Sequence, residues 1–523
     1  LVGSEMCIRD RYTIDLRNMS RSSIGKNLMT KFYSEWSGMP SYEFVDLRTE
    51  RSAVPIGKIV KDNITFKTPF YRKILEAIQR YSIYIGLGTA KQSELKRENI
   101  ANGIVVTTWK KSFQSLEFLS HDKGYTLAKG GLHSKDDPRV IWANPGEALA
   151  DPDVASMYPS FIVNYGVSPH HLSSKVFLGI VEWLRTTRLD AKHNGRKLEA
   201  DALKIVINRI YGALNDAMDY LYDPECTYTV TINLQLLLCN LIESFELNGF
   251  DVLSANTDGL LIRRPNDRLD LFNHICKEWE DYSKLSLDTE VFEKYCRSAV
   301  NDYIAVGYGF YDALQEYNRC GVWIDSKGNT YTTRQAIEDK FIKFKGYFLQ
   351  DPEYNKGFVY PVVKKALKEY FLYGVDITEF IRNYINTSRT AIYDYCFSQK
   401  VAGKYTTIYK TVRDGKPVYI KCQKHNRFYI CKSGGGAITK AIVPDSDNIA
   451  YGDDISGIVV EEEKSLVADQ RVALFNDYEY KEDYNLNYGF YINEAYKILY
   501  GNGKTGKGER RGINNNSNNL FGW

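Results

Sequence analysis

The sequence predicts an α+β protein built from several subdomains, and three observations point there. At 523 residues the chain is too long for one ordinary domain. Helical patterns at 178–214 and 229–247 are long, while the strand-like runs elsewhere are short and bounded by turn residues. Two of those runs, Asp-Val-Leu-Ser-Ala and Leu-Leu-Ile-Arg-Arg, flank Asn-Thr-Asp-Gly and so make a β-hairpin.

The elements follow in chain order. Residues 1–11 (LVGSEMCIRDR) lack the apolar stretch of a signal peptide. They read as translated adapter sequence, so the natural chain is expected to begin further upstream. Residues 12–128 mix short helical and strand patterns, with one clear helix over 66–82, where Phe70, Ile74 and Ile78 recur every fourth residue. Lys-Gly-Gly-Leu-His-Ser at 129–134 is a Gly-Gly loop. Residues 149–163 (LADPDVASMYPSFIV) predict a strand that turns into a helix, with Pro159 setting the turn. The helical pattern at 178–214 breaks near Asn194-Gly195, and the one at 229–247 stops at Asn248-Gly249, a natural C-cap. After 351 the chain is rich in Lys and Tyr, helical at 361–373 and 376–387 and more strand-like at 404–432. Residues 501–523 are Gly- and Asn-rich and predict disorder. No internal repeat is visible.

Composition sets limits on function. Hydrophobic content of 44% and charged content of 25% fit a soluble globular protein. Forty tyrosines suit stacking against bases or sugars, although most of those rings are expected in the core. Net charge is +3, and the tail's Lys504, Lys507, Arg510 and Arg511 against Glu509 account for all of it. That pattern excludes a uniformly basic shell and leaves local basic grooves. Nine cysteines without a Cys-x-x-Cys pair exclude a disulfide framework or a cysteine zinc site, and reduced thiols suit the cytoplasm. Cys422, His425 and Cys431 come nearest to metal spacing and read as chance. No apolar run reaches the roughly 18 residues of a membrane span.

Three features then occur in order. Asp153 ends a strand, Lys204, Asn208, Tyr211 and Gly212 lie along a helix, and Asp258 occupies the hairpin turn beside Asn256 and Thr257. Carboxylates on adjacent strand ends can hold two divalent cations, which activate a hydroxyl and stabilise a leaving pyrophosphate. Mg²⁺ suits the task because it takes few carboxylates and keeps positions for water and phosphate. Arg188 and Lys192, four apart on one helical face, and Lys204 supply positive charge for a triphosphate. Taken singly, each feature is ordinary: a turn aspartate, a solvated helix face, a hairpin turn.

Together they resemble the family B DNA polymerases. Asp153 to Ser160 (DVASMYPS) is similar to the family's motif A, Lys204 to Gly212 (KIVINRIYG) to motif B, and Ser254 to Gly259 (SANTDG) to motif C. Arg188 and Lys192 match the family's other triphosphate-gripping fingers residues. Residues 300–306 (VNDYIAV) resemble the segment that holds the primer terminus, and 344–348 (FKGYF) the Lys-Gly step after it. The 129–134 loop resembles the Tyr-x-Gly-Gly loop before the palm, although Tyr125 is not at the expected spacing. The resemblance is specific over 129–350 and general beyond.

What the resemblance implies is a right hand: an antiparallel palm sheet (129–164 and 217–350), short two-helix fingers (165–216) and a mostly helical thumb (351–500). Asp153 and Asp258 would be catalytic metal ligands for two Mg²⁺ ions, with the Val154 carbonyl assisting and Mn²⁺ able to substitute. Ser156 and Met157 amides, with Arg188, Lys192 and Lys204, would hold the nucleotide. Tyr158 would exclude a 2′-hydroxyl, and Asn208 and Tyr211 would line the base-pair pocket. Gly130, Gly131, Gly212, Tyr303, Lys345 and Gly346 would contact DNA. The implied function is DNA-directed DNA synthesis from a primer 3′-end in phage replication, by a monomer in the host bacterial cytoplasm acting on primer–template DNA and deoxynucleoside triphosphates.

Departures matter. Asn256 stands where motif C usually has Asp, and Arg209 where motif B has Ser, at a position expected to point away from the nucleotide. Lys204 follows Asp153 by only 51 positions, which leaves no room for the insertion of protein-primed members. Neither exonuclease pattern occurs in 12–148, where Tyr42 and Asp46 give a chance match, so no proofreading is expected from this chain. Leu520-Phe521 resembles a sliding-clamp peptide. The alternatives are a DNA-binding protein that lost catalysis through Asn256 and an RNA-synthesising enzyme, against which Tyr158 speaks.

Overall fold

The computed structural model describes residues 21–348 and 360–500, apart from 102 and 402. They divide into two compact units, one of residues up to 136 with 143–293, the other of 137–142 with 294 onwards.

The first unit begins with helix α1 (Arg21–Ser37), whose Ile24, Leu28, Met29, Phe32 and Tyr33 are buried. The helix predicted at 66–82 is shorter, α2 (Pro69–Gln79), because Thr68 caps it and Pro69 takes its first position. Four strands then form an antiparallel meander: β1 (Ile104–Trp109), β2 (Ser112–Ser120), β3 (Lys123–Ala128) and β4 (Leu132–Ser134). Two-residue turns at Lys110-Lys111 and His121-Asp122 join the first three, and all four residues have positive φ.

Strand β5 (Glu147–Val154) leads into α3 (Met157–Asn164), as the sequence predicts. The 178–214 pattern resolves into α4 (Ser174–His193) and α5 (Lys197–Leu214). Helix α1 packs on both: Phe32 meets Trp183 edge-on at 5.1 Å, and Trp36 covers Gly179. Helix α6 (Pro224–Leu247) starts at the Asp223 cap and ends at Asn248, with Gly249 at φ 68°. It corrects one expectation, being long and apolar enough by composition to cross a membrane. Its most apolar window is nevertheless 83% buried inside the unit, where it is the central core helix.

The hairpin forms as predicted from β6 (Asp251–Asn256) and β7 (Gly259–Pro265). Helix α7 (Leu269–Ser283) and strand β8 (Leu287–Ala299) follow. Strand order in this unit is β2–β3–β4–β6–β7–β5–β8. The strands that carry Asp153 and the hairpin are antiparallel throughout; a parallel pairing occurs further out, between Ser82 and Ser112.

In the second unit, β9 (Asp302–Gly307) pairs with β10 (Ile342–Lys345), and α8 (Phe310–Cys320) lies between them in sequence. Helices α9 (Pro361–Tyr373) and α10 (Ile377–Asn383) appear where predicted. The region is not mostly helical, however. Among the described residues seven strands follow: β11 (Cys396–Lys400), β12 (Thr406–Arg413), β13 (Lys416–Cys422), β14 (His425–Cys431), β15 (Ala437–Ile442), β16 (Glu461–Ser465) and β17 (Arg471–Leu474). They make a three-stranded sheet, β11–β14–β17, and a four-stranded one, β13–β12–β15–β16. The cause is local: Thr406, Thr407, Ile408, Tyr409, Thr411 and Val412 are β-branched or aromatic and favour a pleated surface. Helix α11 (Tyr488–Tyr500) closes the described chain.

Candidate active site

Strand β5 delivers the first aspartate. Asp153 is in register with Gly259 on one neighbour and with Asp288 on the other. The amide of Val154 donates to the carbonyl of Asp258 at 2.7 Å, which ties the end of β5 to the hairpin turn. A Cβ on Gly259 would fall 1.8 Å from Asp153 Oδ1, so glycine leaves that carboxylate its present place. Asp153 thus ends a strand that is hydrogen-bonded to the hairpin whose turn carries Asp258.

Two further carboxylates, Asp151 and Glu290, gather with Asp153, and Asp258 is not in that group. Asp151 shares Asp153's face of β5, being two residues away, and pairs in register with Glu290. Carboxylate oxygens of Asp151, Asp153 and Glu290 all lie within 4.8 Å of one another. Like charges this close repel unless they share a cation or a proton. An all-oxygen donor set is what a hard divalent cation takes, so these residues fit a Mg²⁺- or Mn²⁺-type ion. Sequence reasoning missed both. The i, i+2 spacing of Asp151 was readable, whereas Glu290 becomes visible only once strand register is known.

The cationic side is built by α4. Its Arg188 Nη1 donates to Ser156 Oγ at 3.0 Å, and Ser156 itself turns the chain into α3 with φ 48°. Burial pulls the guanidinium below its ordinary pKa, opposed by the charge of Asp201. Among the described residues, buried Arg188 Nε has no hydrogen-bond partner. Lys192 is exposed, with Nζ 3.7 Å from Asp288 beside Asp153's register position. The first N–H groups of α3, from Met157 on, have no helical acceptor and suit an anion.

On α5, Lys204, Asn208 and Gly212 are exposed and Tyr211 is half-buried. Tyr211 stacks on Tyr158, ring centroids 4.1 Å apart and 8° from parallel. Burial, then the Asp258 charge, raises the Tyr158 phenol. Arg209 turns elsewhere, its Nη2 bonded to Asp219 at 2.6 Å and Asp216 at 3.2 Å.

The Gly-Gly loop reaches the hairpin from β4. Leu132 O accepts from Thr257 N at 2.8 Å, and Gly131 packs against the Thr257 side chain. Gly130 faces open space. His133, not singled out in the sequence, lies 3.0 Å through Nε2 from Thr257 Oγ1. Burial lowers its pKa, with the Asp258 charge opposing. Tyr125 is fully buried, stacked on Phe118 in the core.

Within the second unit, Tyr303 and Lys345 are register partners, with the ammonium 5.6 Å from the ring. Tyr303 is buried against Tyr295 at 4.6 Å. Gly346, at φ 62°, has no room for a side chain, since a Cβ would lie 2.2 Å from Asn301 O. Leu520 and Phe521 lie outside the described residues.

Among the described residues, Cys422, His425 and Cys431 do not gather into a potential metal site, whereas His170, Asp223 and Cys226 do. That second group is already committed. Asp223 caps α6 and bonds both the amide and ring of His170, and Arg51 pairs with it at 3.3 Å.

No family model matches the chain. It is 27% identical to a DNA polymerase of Thermococcus gorgonarius over a stretch covering 30% of this chain and 24% of that relative. DNA polymerase II of Escherichia coli strain K12 is 25% identical, covering 27% of this chain and 22% of its own length. The chain thus spans about a quarter of the length of the curated relatives it matches. Among solved structures, the family B DNA polymerase of Pyrobaculum calidifontis aligns at 12% identity and a TM-score of 0.33, covering 70% of this chain and 47% of that one.

Proposed function

We propose that this chain is the polymerase portion of a phage-type family B DNA polymerase, adding deoxynucleotides to a nucleic-acid primer. The observation that supports this best is the register of Asp153 with Gly259, which sets it beside Asp258 while Arg188 reaches Ser156 next to them. Similarity to named DNA polymerases supports the same reading.

Asp153 and Asp258, with the Val154 carbonyl and with Asp151 and Glu290 alongside, would hold two Mg²⁺ ions, or Mn²⁺ in their place. Bound there, the ions would activate the primer 3′-hydroxyl and stabilise the departing pyrophosphate. The chain's own part is positioning and charge. Arg188, Lys192 and Lys204 neutralise the triphosphate, and the amides of Ser156 and Met157 cradle it. Tyr158, held flat against Tyr211, occupies the space of a 2′-hydroxyl and so selects deoxynucleotides. Asn208 and Tyr211 read the shape of the nascent pair. Gly130, Gly212, Lys345 and Gly346 contact the primer and template strands, and Tyr303 and Gly131, which are buried, support that surface from within.

Primer extension with Mg²⁺ tests this, comparing the parent with Asp258→Ala on a labelled primer–template. Extension by the parent that vanishes in the variant is the expected result. If neither extends, even with Mn²⁺, while both bind DNA, the enzyme reading falls and a DNA-binding protein remains.

A further inference from the structure

We propose that His133 is a positioning residue for the hairpin turn: its imidazole holds the Thr257 hydroxyl, and through it the aim of Asp258. The inference rests on the reading of Asp258 as a metal ligand. Thr257 sits at φ 34°, a left-handed conformation that a β-branched residue adopts only under constraint from its surroundings. Three consecutive residues of the Gly-Gly loop supply the constraint. Gly131 forms a wall, its would-be Cβ 3.1 Å from Thr257 Oγ1 and 3.2 Å from Cγ2. Leu132 takes the backbone amide, and His133 takes the hydroxyl at 3.0 Å.

The hydroxyl has one proton to give. Thr257 Oγ1 donates to Asn256 Oδ1 at 3.3 Å, so it must accept from His133, which makes the ring an Nε2–H donor. The result is a chain of donors from His133 through Thr257 to Asn256, lying directly before Asp258. Outer partners that orient ligands in this way affect metal affinity and rate even though they never touch the ion. The loop's glycine is therefore explained from within the protein, by the close approach of Thr257.

Mn²⁺ binding to the full chain, followed by electron paramagnetic resonance without nucleotide, tests the proposal alongside single-turnover primer extension. His133→Ala and Thr257→Val are each expected to weaken Mn²⁺ binding and slow extension by about 10- to 100-fold. His133→Gln and Thr257→Ser, which keep a polar group in place, should stay within about twofold of the parent, and the His133→Ala/Thr257→Val double variant should be no worse than either single one. Should His133→Ala melt early, Thr257→Val carries the same test without loss of bulk. A parent-like His133→Ala, or a His133→Gln as impaired as His133→Ala, overturns the proposal while Asp258→Ala still abolishes binding. If Asp258→Ala binds Mn²⁺ as tightly as the parent, the metal-ligand reading fails instead, and this inference with it.

Discussion

Arg188 and Arg209 lie on consecutive helices, both partly buried and both with an Nε that no acceptor meets among the described residues. Their partners differ. Arg209 is held by Asp219, whose side chain is only 1% exposed, and by Asp216. Arg188, among the described residues, makes no carboxylate ion pair and hydrogen-bonds the hydroxyl of Ser156. A guanidinium that gives up water without gaining a carboxylate is unfavourable on its own, and becomes favourable when an anion arrives. Two arginines of similar burial therefore have different work: one holds the fold together, and the other, on the function proposed above, awaits a triphosphate.

The contrast can be broken in order of expected effect. Arg188→Ala should lower kcat/KM for the nucleotide by about 10²- to 10³-fold and leave the melting temperature nearly unchanged. Retention of full activity would end the distinction. Arg209→Ala should do the reverse. Urea unfolding is expected to show a loss of about 3 kcal/mol, because Asp219 stays buried and unpaired, with little change in extension rate per folded molecule. Adding Asp219→Ala to that variant should recover part of the loss, since no buried charge is then left over. Gly25→Ala places a Cβ 2.7 Å from the Cβ of Arg209, and overpacking there should cost about 1–3 kcal/mol of stability. The smallest effect belongs to Ser156→Ala. Loss of its bond to Arg188 should weaken nucleotide binding roughly fivefold, about 1 kcal/mol, as read from the KM.

The sequence was most legible where chemistry marks an end or a turn. Asn248-Gly249 stops a helix and Asn-Thr-Asp-Gly folds the hairpin, as predicted, whereas the helices expected from 66 and 229 start at Pro69 and Pro224. It was least legible where tight turns lack their usual residues. Lys110-Lys111 and His121-Asp122 adopt positive φ with no glycine or asparagine among them, so the meander they join reads as unremarkable sequence. Glu290 and His133 belong to the site only through strand pairing, which no local pattern reveals. The seven strands beyond 396 were partly visible, in the β-branched run at 406–412, but resemblance to a helical thumb outweighed that local signal. Arg209, expected off the nucleotide face, is turned toward Asp219 and α1.

Helix α1 has a practical consequence. It carries none of the motifs, so anyone trimming the chain to its chemistry would begin at the Gly-Gly loop and discard it. Yet Phe32 and Trp36 cover Trp183 and Gly179 on α4, and Gly25 lies against Arg209 on α5. A fragment cut after Ser37 would hand solvent the apolar flank of the very helices that carry Arg188 and Lys204. Such a fragment would be sticky when expressed, and its failure to extend a primer would report lost scaffolding rather than absent chemistry.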